Sequence, residues 1–275
     1  MKEGGRPGRV RQGGAGRRLT AHSAPRYLGP AHCQRLVLVG DAHLGREPDA
    51  TEQAFLAFLE TVPTLGDGLL LTGDLFEFWF AWGRVIPRRN IRVVAAIAQL
   101  ARRLPVALIG GNHDRWGGTF WQEELGVHYS PGELRFTVAG RPALAVHGDG
   151  ITETHWSATL LGRVLKGRGT VTAYRAIHPD LGVWLVDHLS GFLGDRPRTP
   201  EEVEASSRRQ AEWAAARLAA EPELALLAMG HTHRAASTEA RPGQRYVNPG
   251  AWFDGYRYAV LDASGVTLAQ FTPPR

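Results

Sequence analysis

The chain has 275 residues, of which 43% are apolar and 21% charged, a composition that is typical of one large or two small globular domains. This composition excludes a wholly disordered protein. No run approaches the roughly 18 apolar residues of a membrane-spanning helix, and the start of the chain lacks the apolar core of a signal peptide. We therefore expect a cytoplasmic protein. A single cysteine, Cys33, excludes zinc sites built from cysteine pairs.

The basic character of the chain is concentrated at its start. Residues 1–35 hold eight Lys and Arg side chains and one Glu, a charge of +7, so the remaining chain carries −2 of the total of +5. With few apolar side chains, residues 1–35 are expected to form a disordered tail. Such a tail can contact anionic lipid or nucleic acid, but charge runs usually only solvate a chain. The negative balance of the rest argues against a nucleic-acid partner.

Short apolar runs alternate with helical patterns along the rest of the chain. The runs predict five buried strands, at Leu36 to Val39, Leu69 to Leu71, Val106 to Ile109, Leu144 to Val146 and Leu224 to Met229. Helices are predicted at Thr51 to Leu59 and Asn90 to Arg103, and last strands near Arg245 to Val247, Tyr256 to Leu261 and Val266 to Phe271. This alternation indicates an α/β domain. Residues 156–218 lack a strand pattern, so we expect a helical insertion there.

Each of the five runs ends in polar side chains beside glycine. The motifs are Gly40-Asp41-Ala42-His43, Gly73-Asp74, Gly111-Asn112-His113-Asp114, His147-Gly148-Asp149 and Gly230-His231-Thr232-His233. In open α/β sheets, ligands bind outside the carboxyl ends of the strands. Glycine lets the backbone turn sharply and approach a ligand closely. One such motif is common by chance, but five in order, each ending a predicted strand, indicate a functional site.

Seven of these side chains are candidate metal ligands that offer only oxygen or nitrogen: Asp41, His43, Asp74, Asn112, His147, His231 and His233. This is too many for one catalytic ion that keeps an open position, and it suits two. Asp74, with two carboxylate oxygens, is the candidate bridging ligand. Mn²⁺, Fe²⁺, Zn²⁺ and Co²⁺ all suit these mixed donors, so the donor types alone do not select the ion.

In this order the motifs resemble D-x-H, G-D, G-N-H-D, H and G-H-x-H of the calcineurin-like metallophosphoesterases, over about Leu36 to Leu261. The resemblance implies a four-layer α/β sandwich of two mixed β-sheets flanked by helices, with a two-metal site at one edge and here an inserted helical cap. It implies that one metal is held by Asp41, His43, Asp74 and His233. It implies that the other is held by Asp74, Asn112, His147 and His231. His113 and Asp114 match the catalytic pair, with His113 near the scissile phosphate and Asp114 orienting it.

Within that family, the run from Gly73 to Trp79, the longer His147 motif and the helical insertion look like UDP-2,3-diacylglucosamine diphosphatases of lipid A synthesis. One branch of that group has Arg at the position of His113 and two aspartates near Trp79 to Trp82. Another branch keeps G-N-H-D followed by aromatic residues, as Trp116 follows here. Protein serine/threonine phosphatases fit less well, because their G-D-x-x-D-R-G run is absent.

The resemblance implies hydrolysis of UDP-2,3-diacylglucosamine, a lipid-linked nucleotide, to UMP and 2,3-diacylglucosamine 1-phosphate. Candidate substrate-binding residues are Trp79, Arg115, Trp116, Lys166 and Trp184. The apolar insertion also suits peripheral contact with the inner membrane. Two alternatives stay open. One is a metallophosphoesterase that acts on another small phosphodiester or nucleotide. The other is a non-catalytic scaffold, which would be expected to have lost one or more metal ligands.

Overall fold

The structure is a computed structural model that describes residues 33–45, 49–152, 167–193 and 199–274. Most of the predicted basic tail lies outside these ranges. The same holds for the first part of the predicted insertion, including Lys166. No described helix is long and apolar enough to cross a membrane.

The strands are, in chain order, β1 Leu36–Val39, β2 Gly68–Leu71, β3 Val106–Ile109, β4 His128–Ser130, β5 Glu133–Val138, β6 Arg141–Val146, β7 Leu226–Ala228, β8 Ala236–Arg241, β9 Gln244–Asn248, β10 Arg257–Asp262 and β11 Gly265–Gln270. They form a six-stranded sheet, β11-β10-β1-β2-β3-β4, and a five-stranded sheet, β5-β6-β7-β9-β8. Strands β1 to β4 run parallel to one another, as do β6, β7 and β9, and the other pairings are antiparallel. Both sheets are therefore mixed.

The helices are α1 Asp49–Leu65, α2 Ile91–Ala101, α3 Phe120–Glu123, α4 Arg168–Arg175, α5 Pro179–Leu193 and α6 Pro200–Ala220, with a 3-10 turn at Arg88–Asn90. The predicted strands and the helices predicted at Thr51 to Leu59 and Asn90 to Arg103 are observed. Strands β4, β5 and β8 and helix α3 were not predicted.

The side chains of β1 show how the layers are built. Alternate residues of a strand point to opposite faces. Val37 and Val39 pack with α1 and α2 on the outside of the first sheet, whereas Leu36 and Leu38 pack against residues of the second sheet. Because both faces of this strand are covered, all of its residues are apolar.

Helix α6 forms the layer on the other side of the sandwich. Its buried residues Ser206, Gln210, Ala214 and Leu218 are four apart and lie on one face of the helix. Ala214 and Leu218 pack with residues of β6 and β7. The order helices, sheet, sheet, helix confirms the predicted four-layer sandwich. Residues 200–218 were predicted to be part of the inserted cap. They lie in α6 instead, and the buried face of that helix covers the second sheet.

Candidate active site

The five motifs meet at one edge of the sandwich. Within the first sheet, Asp41 donates its backbone N–H to the carbonyl of Gly73 at 2.9 Å. Within the second sheet, Gly230 donates to the carbonyl of His147 at 3.0 Å. The backbone N–H of His231 donates to Oδ1 of Asp41 at 2.9 Å, so the loops of the two sheets are joined directly.

Two glycines allow this approach. A Cβ on Gly111 would lie 2.1 Å from Oδ1 of Asp74, and a Cβ on Gly73 would lie 2.4 Å from Nδ1 of His147. Gly73 also has φ +100°, which only glycine adopts without strain. A larger residue at either position would displace a candidate ligand.

The backbone of the candidate ligands is itself strained. Five of them have positive φ: Asp41 at 48°, His43 at 45°, Asp74 at 49°, His231 at 72° and His233 at 62°. A non-glycine residue in this region costs about 1–3 kcal/mol and persists only where its surroundings fix it. Such strain is concentrated at functional sites.

The structure brings the candidate ligands into two clusters. The ligand atoms of Asp41, His43 and His233 lie within 4.8 Å of one another, as do those of Asp74, His147 and His231. Asp74 belongs to the second cluster and also reaches the first, because its Oδ2 is 3.1 Å from Nε2 of His147 and 3.9 Å from Nε2 of His43. A third group within the same distance joins it to His43 and His113. Oδ1 of Asp74 accepts the backbone N–H of His113 at 2.9 Å. This position suits the bridging role that the resemblance implies.

The histidine tautomers fit divalent metal ions. Nδ1 of His43 lies 2.9 Å from Oε2 of Glu77, and Nδ1 of His147 lies 2.9 Å from the carbonyl of Thr72. A carbonyl and a carboxylate accept, so each Nδ1 carries a proton and each Nε2 is left for a metal, as in most metal-ligating histidines. Nε2 of His43 and Oδ1 of Asn112 are buried without a hydrogen-bond partner. Such atoms need a partner, and a cation supplies one.

The charges of the site also favour cations. Burial lowers the pKa of His147, but the charge of Asp74 and the hydrogen bond to it raise that pKa overall, to about 10. Burial raises the pKa of Asp74, but the charges of the neighbouring histidines hold it well below its usual value. Burial lowers the pKa of His233 to about 4, so this imidazole is neutral at pH 7 and ready to bind a metal.

His113 and Asp114 have different surroundings. Nδ1 of His113 donates to the backbone carbonyl of Glu77 at 2.8 Å, and its ring contacts that of His43 edge to face at 4.7 Å. Asp114 is fully buried and accepts backbone N–H groups of Gly111 at 2.8 Å and Leu75 at 2.7 Å. Through these hydrogen bonds Asp114 connects the loops around Asp74. The carbonyl of Glu77 orients His113.

Burial, with the negative charge of Asp74 adding to it, raises the pKa of Asp114 to about 6. The backbone N–H groups that it accepts act in the opposite direction.

The predicted substrate-binding residues are dispersed. Trp79 is 0% exposed and stacks on Phe76 in the core, so the predicted substrate contact is wrong for this side chain: core packing encloses it. Arg115 pairs with Asp149 at 3.1 Å, which ties two loops of the site together. Trp116 is half-buried and Trp184 is 53% exposed on α5. Lys166 lies outside the described residues.

Sequence reasoning missed three residues that contact the candidate ligands or their loops. Glu77 follows Asp74 by three positions, a signal that could have been used. The ring of Phe253 lies 5.5 Å from that of His43 and 4.9 Å from that of His233. Gln210 donates to the backbone of the last motif, although nothing in its sequence context on α6 distinguishes it from a solvated helix residue.

Solved structures and curated proteins resemble this chain over most of its length. An archaeal phosphodiesterase aligns with a TM-score of 0.45 and 12% identity over 86% of this chain and 99% of its own. The E. coli phosphoesterase Yfce aligns with a TM-score of 0.41 and 15% identity over 87% of this chain and 100% of its own.

Two curated relatives carry the name UDP-2,3-diacylglucosamine hydrolase. The Porphyromonas gingivalis protein is 25% identical over 85% of this chain and 96% of its own length. The Shewanella pealeana protein is 28% identical over 86% of this chain and 98% of its own length. The family model described as calcineurin-like phosphoesterase matches residues 34–235, which include all five motifs. The chain therefore belongs to the calcineurin-like phosphoesterase family, and it is a metal-dependent phosphoester hydrolase.

Proposed function

We propose that this protein hydrolyses the pyrophosphate bond of UDP-2,3-diacylglucosamine, releasing UMP and 2,3-diacylglucosamine 1-phosphate, with two divalent metal ions, Mn²⁺ being the expected one. Relatives that carry the name UDP-2,3-diacylglucosamine hydrolase match 85% and 86% of this chain, which supports the substrate. The motifs from Gly73 to Trp79 and around His147 point the same way.

The position of Asp74, in one cluster and within reach of the other, carries this proposal. One ion would bind Asp41, His43, Asp74 and His233, and the other would bind Asp74, Asn112, His147 and His231. Two divalent ions at such a site supply an activated water and neutralise charge on the phosphate oxygens. Phosphoryl transfer needs positioning and charge neutralisation more than covalent chemistry, so no protein nucleophile is required.

His113 is the residue of this chain that we propose acts on the leaving oxygen. Because its Nδ1 donates to the Glu77 carbonyl at 2.8 Å, Nε2 is the atom left to face a substrate. A protonated Nε2 would donate to the leaving oxygen as negative charge develops there. Phe253, against His43 and His233, gives the site an apolar wall.

A surface that combines apolar and basic side chains suits a lipid-linked substrate. We define the apolar-basic patch as Val85, Ile91, Leu181 and Trp184 with the exposed arginines Arg84, Arg88, Arg89 and Arg92. The backbone N–H of Trp82 donates to the carbonyl of Val85 at 3.0 Å. A Cβ on Gly182 would lie 3.1 Å from the Trp82 ring, so α5 packs against the ring of Trp82.

Exposed apolar side chains together with exposed arginines fit the surface of an anionic bilayer. We propose that the patch contacts the inner membrane, where the lipid-linked substrate resides. Nucleic acid is not part of the proposal.

The test is to incubate the Mn²⁺-loaded protein with UDP-2,3-diacylglucosamine and, separately, with simple nucleotide diesters, and to identify the products by mass spectrometry. UMP and the acylated sugar 1-phosphate are expected. Cleavage of the diesters alone would support the alternative small-molecule phosphodiesterase. No turnover with Mn²⁺, Fe²⁺, Zn²⁺ or Co²⁺ would contradict the proposal and favour the scaffold.

A further inference from the structure

Gln210 is the point at which helix α6 contacts the turn of the last motif. Its side chain is 0% exposed. Its Nε2 donates to the carbonyl of Gly230 at 2.9 Å, and its Oε1 accepts from Oγ1 of Thr232 at 2.9 Å. Gly230 and Thr232 flank His231, and Thr232 also precedes His233. One amide therefore contacts this turn on both sides of a candidate ligand.

Strand β9 completes a network around the same amide. The hydroxyl of Tyr246 donates to Oε1 of Gln210 at 2.9 Å, and Nδ2 of Asn248 donates to the same oxygen at 3.2 Å. Nδ2 of Asn248 also lies 2.9 Å from the carbonyl of Gly230. Oε1 of Gln210 accepts from three donors, while its Nε2 donates to a carbonyl. A primary amide offers both groups at this spacing. A charged or apolar residue of similar length cannot replace it.

Gln210 also lies against the turn that follows His147. A Cβ on Gly148 would lie 2.3 Å from Nε2 of Gln210. The two turns of the second sheet that deliver candidate ligands therefore meet at this one buried side chain.

The conformation of the last motif explains why such a network is needed. His231 and His233 have φ of 72° and 62°, and imidazole-bearing residues keep this conformation only where the surroundings over-determine it. On one side the turn is held by Asp41, whose Oδ1 accepts the N–H of His231 at 2.9 Å. On the other side it is held by Gln210 and Asn248.

We infer that Gln210 is a positioning residue for both metal ions, acting through the turn that carries His231 and His233. Because these two histidines belong to different clusters, one displaced turn would weaken both metal sites. The inference rests on the proposed two-metal site and is independent of the proposed substrate.

The test compares two buried glutamines that both bridge α6 and β9. Gln244 donates from Nε2 to the carbonyls of Leu218 at 2.9 Å and Leu224 at 2.8 Å, and none of its described contacts is with the last motif. Gln210→Met and Gln244→Met remove the same amide and keep the length of the side chain. Mn²⁺ affinity is measured by calorimetry, and thermal unfolding is measured without metal.

Gln210→Met is expected to bind Mn²⁺ about 10- to 100-fold more weakly at both sites, the range for residues that orient metal ligands. Gln244→Met is expected to lower the melting temperature of the metal-free protein by about as much as Gln210→Met does. It is expected to keep the wild-type affinity for Mn²⁺. Thr232→Val, which keeps its shape and removes the hydroxyl that contacts Gln210, is expected to weaken Mn²⁺ binding in the same direction.

Wild-type affinity in both Gln210→Met and Thr232→Val would overturn the inference and leave the two-metal site intact. Equal weakening by Gln244→Met would overturn it as well, since the effect would then be one of general stability. A wild-type protein that binds no Mn²⁺ would overturn the two-metal site together with the inference.

Discussion

Nδ1 of His43 lies 2.9 Å from Oε2 of Glu77, and the backbone carbonyl of the same glutamate accepts Nδ1 of His113 at 2.8 Å. One residue therefore orients a candidate metal ligand with its side chain and the candidate catalytic imidazole with its backbone. In both rings the proton is placed on Nδ1, so that Nε2 faces the site. A side-chain substitution at Glu77 removes the partner of His43 and leaves the carbonyl that His113 donates to, although it also removes a carboxylate oxygen 3.8 Å from Nδ1 of His113.

Glu77→Ala is expected to weaken Mn²⁺ binding about 10- to 100-fold, because His43 loses the partner that fixes its tautomer and orientation. Glu77→Gln keeps an acceptor and should lose less. The control is Glu52→Ala, since the Glu52 side chain is 20% exposed against 19% for Glu77 and pairs with Arg92 away from the motifs. Calorimetric titration measures the affinity. An equal loss in both alanine variants would show that Glu77 acts only through stability.

Asp74→Asn is expected to abolish turnover. The substitution removes the negative charge that is 3.1 Å from Nε2 of His147 and leaves an amide that cannot bridge two ions with two oxygens. Bound metal, measured by inductively coupled plasma mass spectrometry after desalting, should fall from two ions per chain. A variant with two bound ions and near-normal turnover would contradict the bridging assignment.

His113→Ala is expected to lower kcat about 10²- to 10⁴-fold, the usual contribution of a general acid, while Mn²⁺ affinity changes little. His113 is also close to His43 and Asp74, so a direct role as a ligand is the competing explanation. Calorimetry separates them. If Mn²⁺ affinity and kcat fall together, His113 is a metal ligand, and another group must protonate the leaving oxygen.

The sequence predicted the candidate ligands because their positions depend on local patterns. An apolar run defines where a buried strand ends, and the polar residue that follows must lie at the sheet edge. Strand β8 was not predicted, because Ala236–Arg241 is a largely exposed edge strand and has neither an apolar run nor apolar alternation. Strand β5 does alternate, with Leu134, Phe136 and Val138 buried, and a period-two search would have found it.

What the sequence could not predict depends on packing between distant segments. Trp79 stands in an aromatic run near Asp74, yet it packs within 5.0 Å of the Trp121 ring, more than forty positions away. Gln210 reads as a polar residue on a solvated helix, and its contacts with Gly230 exist only because α6 covers the second sheet. Local pattern specifies which atoms reach the site, whereas tertiary packing decides which of them are held there.

Mn²⁺ binding is expected to release protons and to strengthen as pH rises from about 6 to 9. In the metal-free protein burial lowers the pKa of His147, but Asp74 raises it overall to about 10, so this imidazole is protonated across that range. A metal at Nε2 must displace the proton, and raising the pH reduces the cost of doing so. Calorimetry in buffers of different ionisation enthalpy measures the release, with an EDTA titration as control. Affinity that is flat with pH and a buffer-independent enthalpy would contradict the ligand role of His147.

The double variant Leu181→Ser/Trp184→Ser tests the apolar-basic patch. These side chains are 55% and 53% exposed. Partial burial of both in a bilayer interface contributes on the order of 1.5 kcal/mol, so the variant should bind anionic vesicles about tenfold more weakly. Vesicle sedimentation measures this binding.

Leu268→Ser is the control for the patch, because Leu268 is also an exposed apolar residue, at 38%, but lies on the edge strand β11. High salt should weaken vesicle binding of the wild type, since it screens the attraction between arginines and anionic lipid. Turnover of a water-soluble nucleotide diester should be unchanged in the double variant, while turnover of a vesicle-bound substrate falls. Equal vesicle binding by the double variant and by Leu268→Ser would mean that the patch does not face the membrane, and the substrate would then have to reach the two clusters by another face.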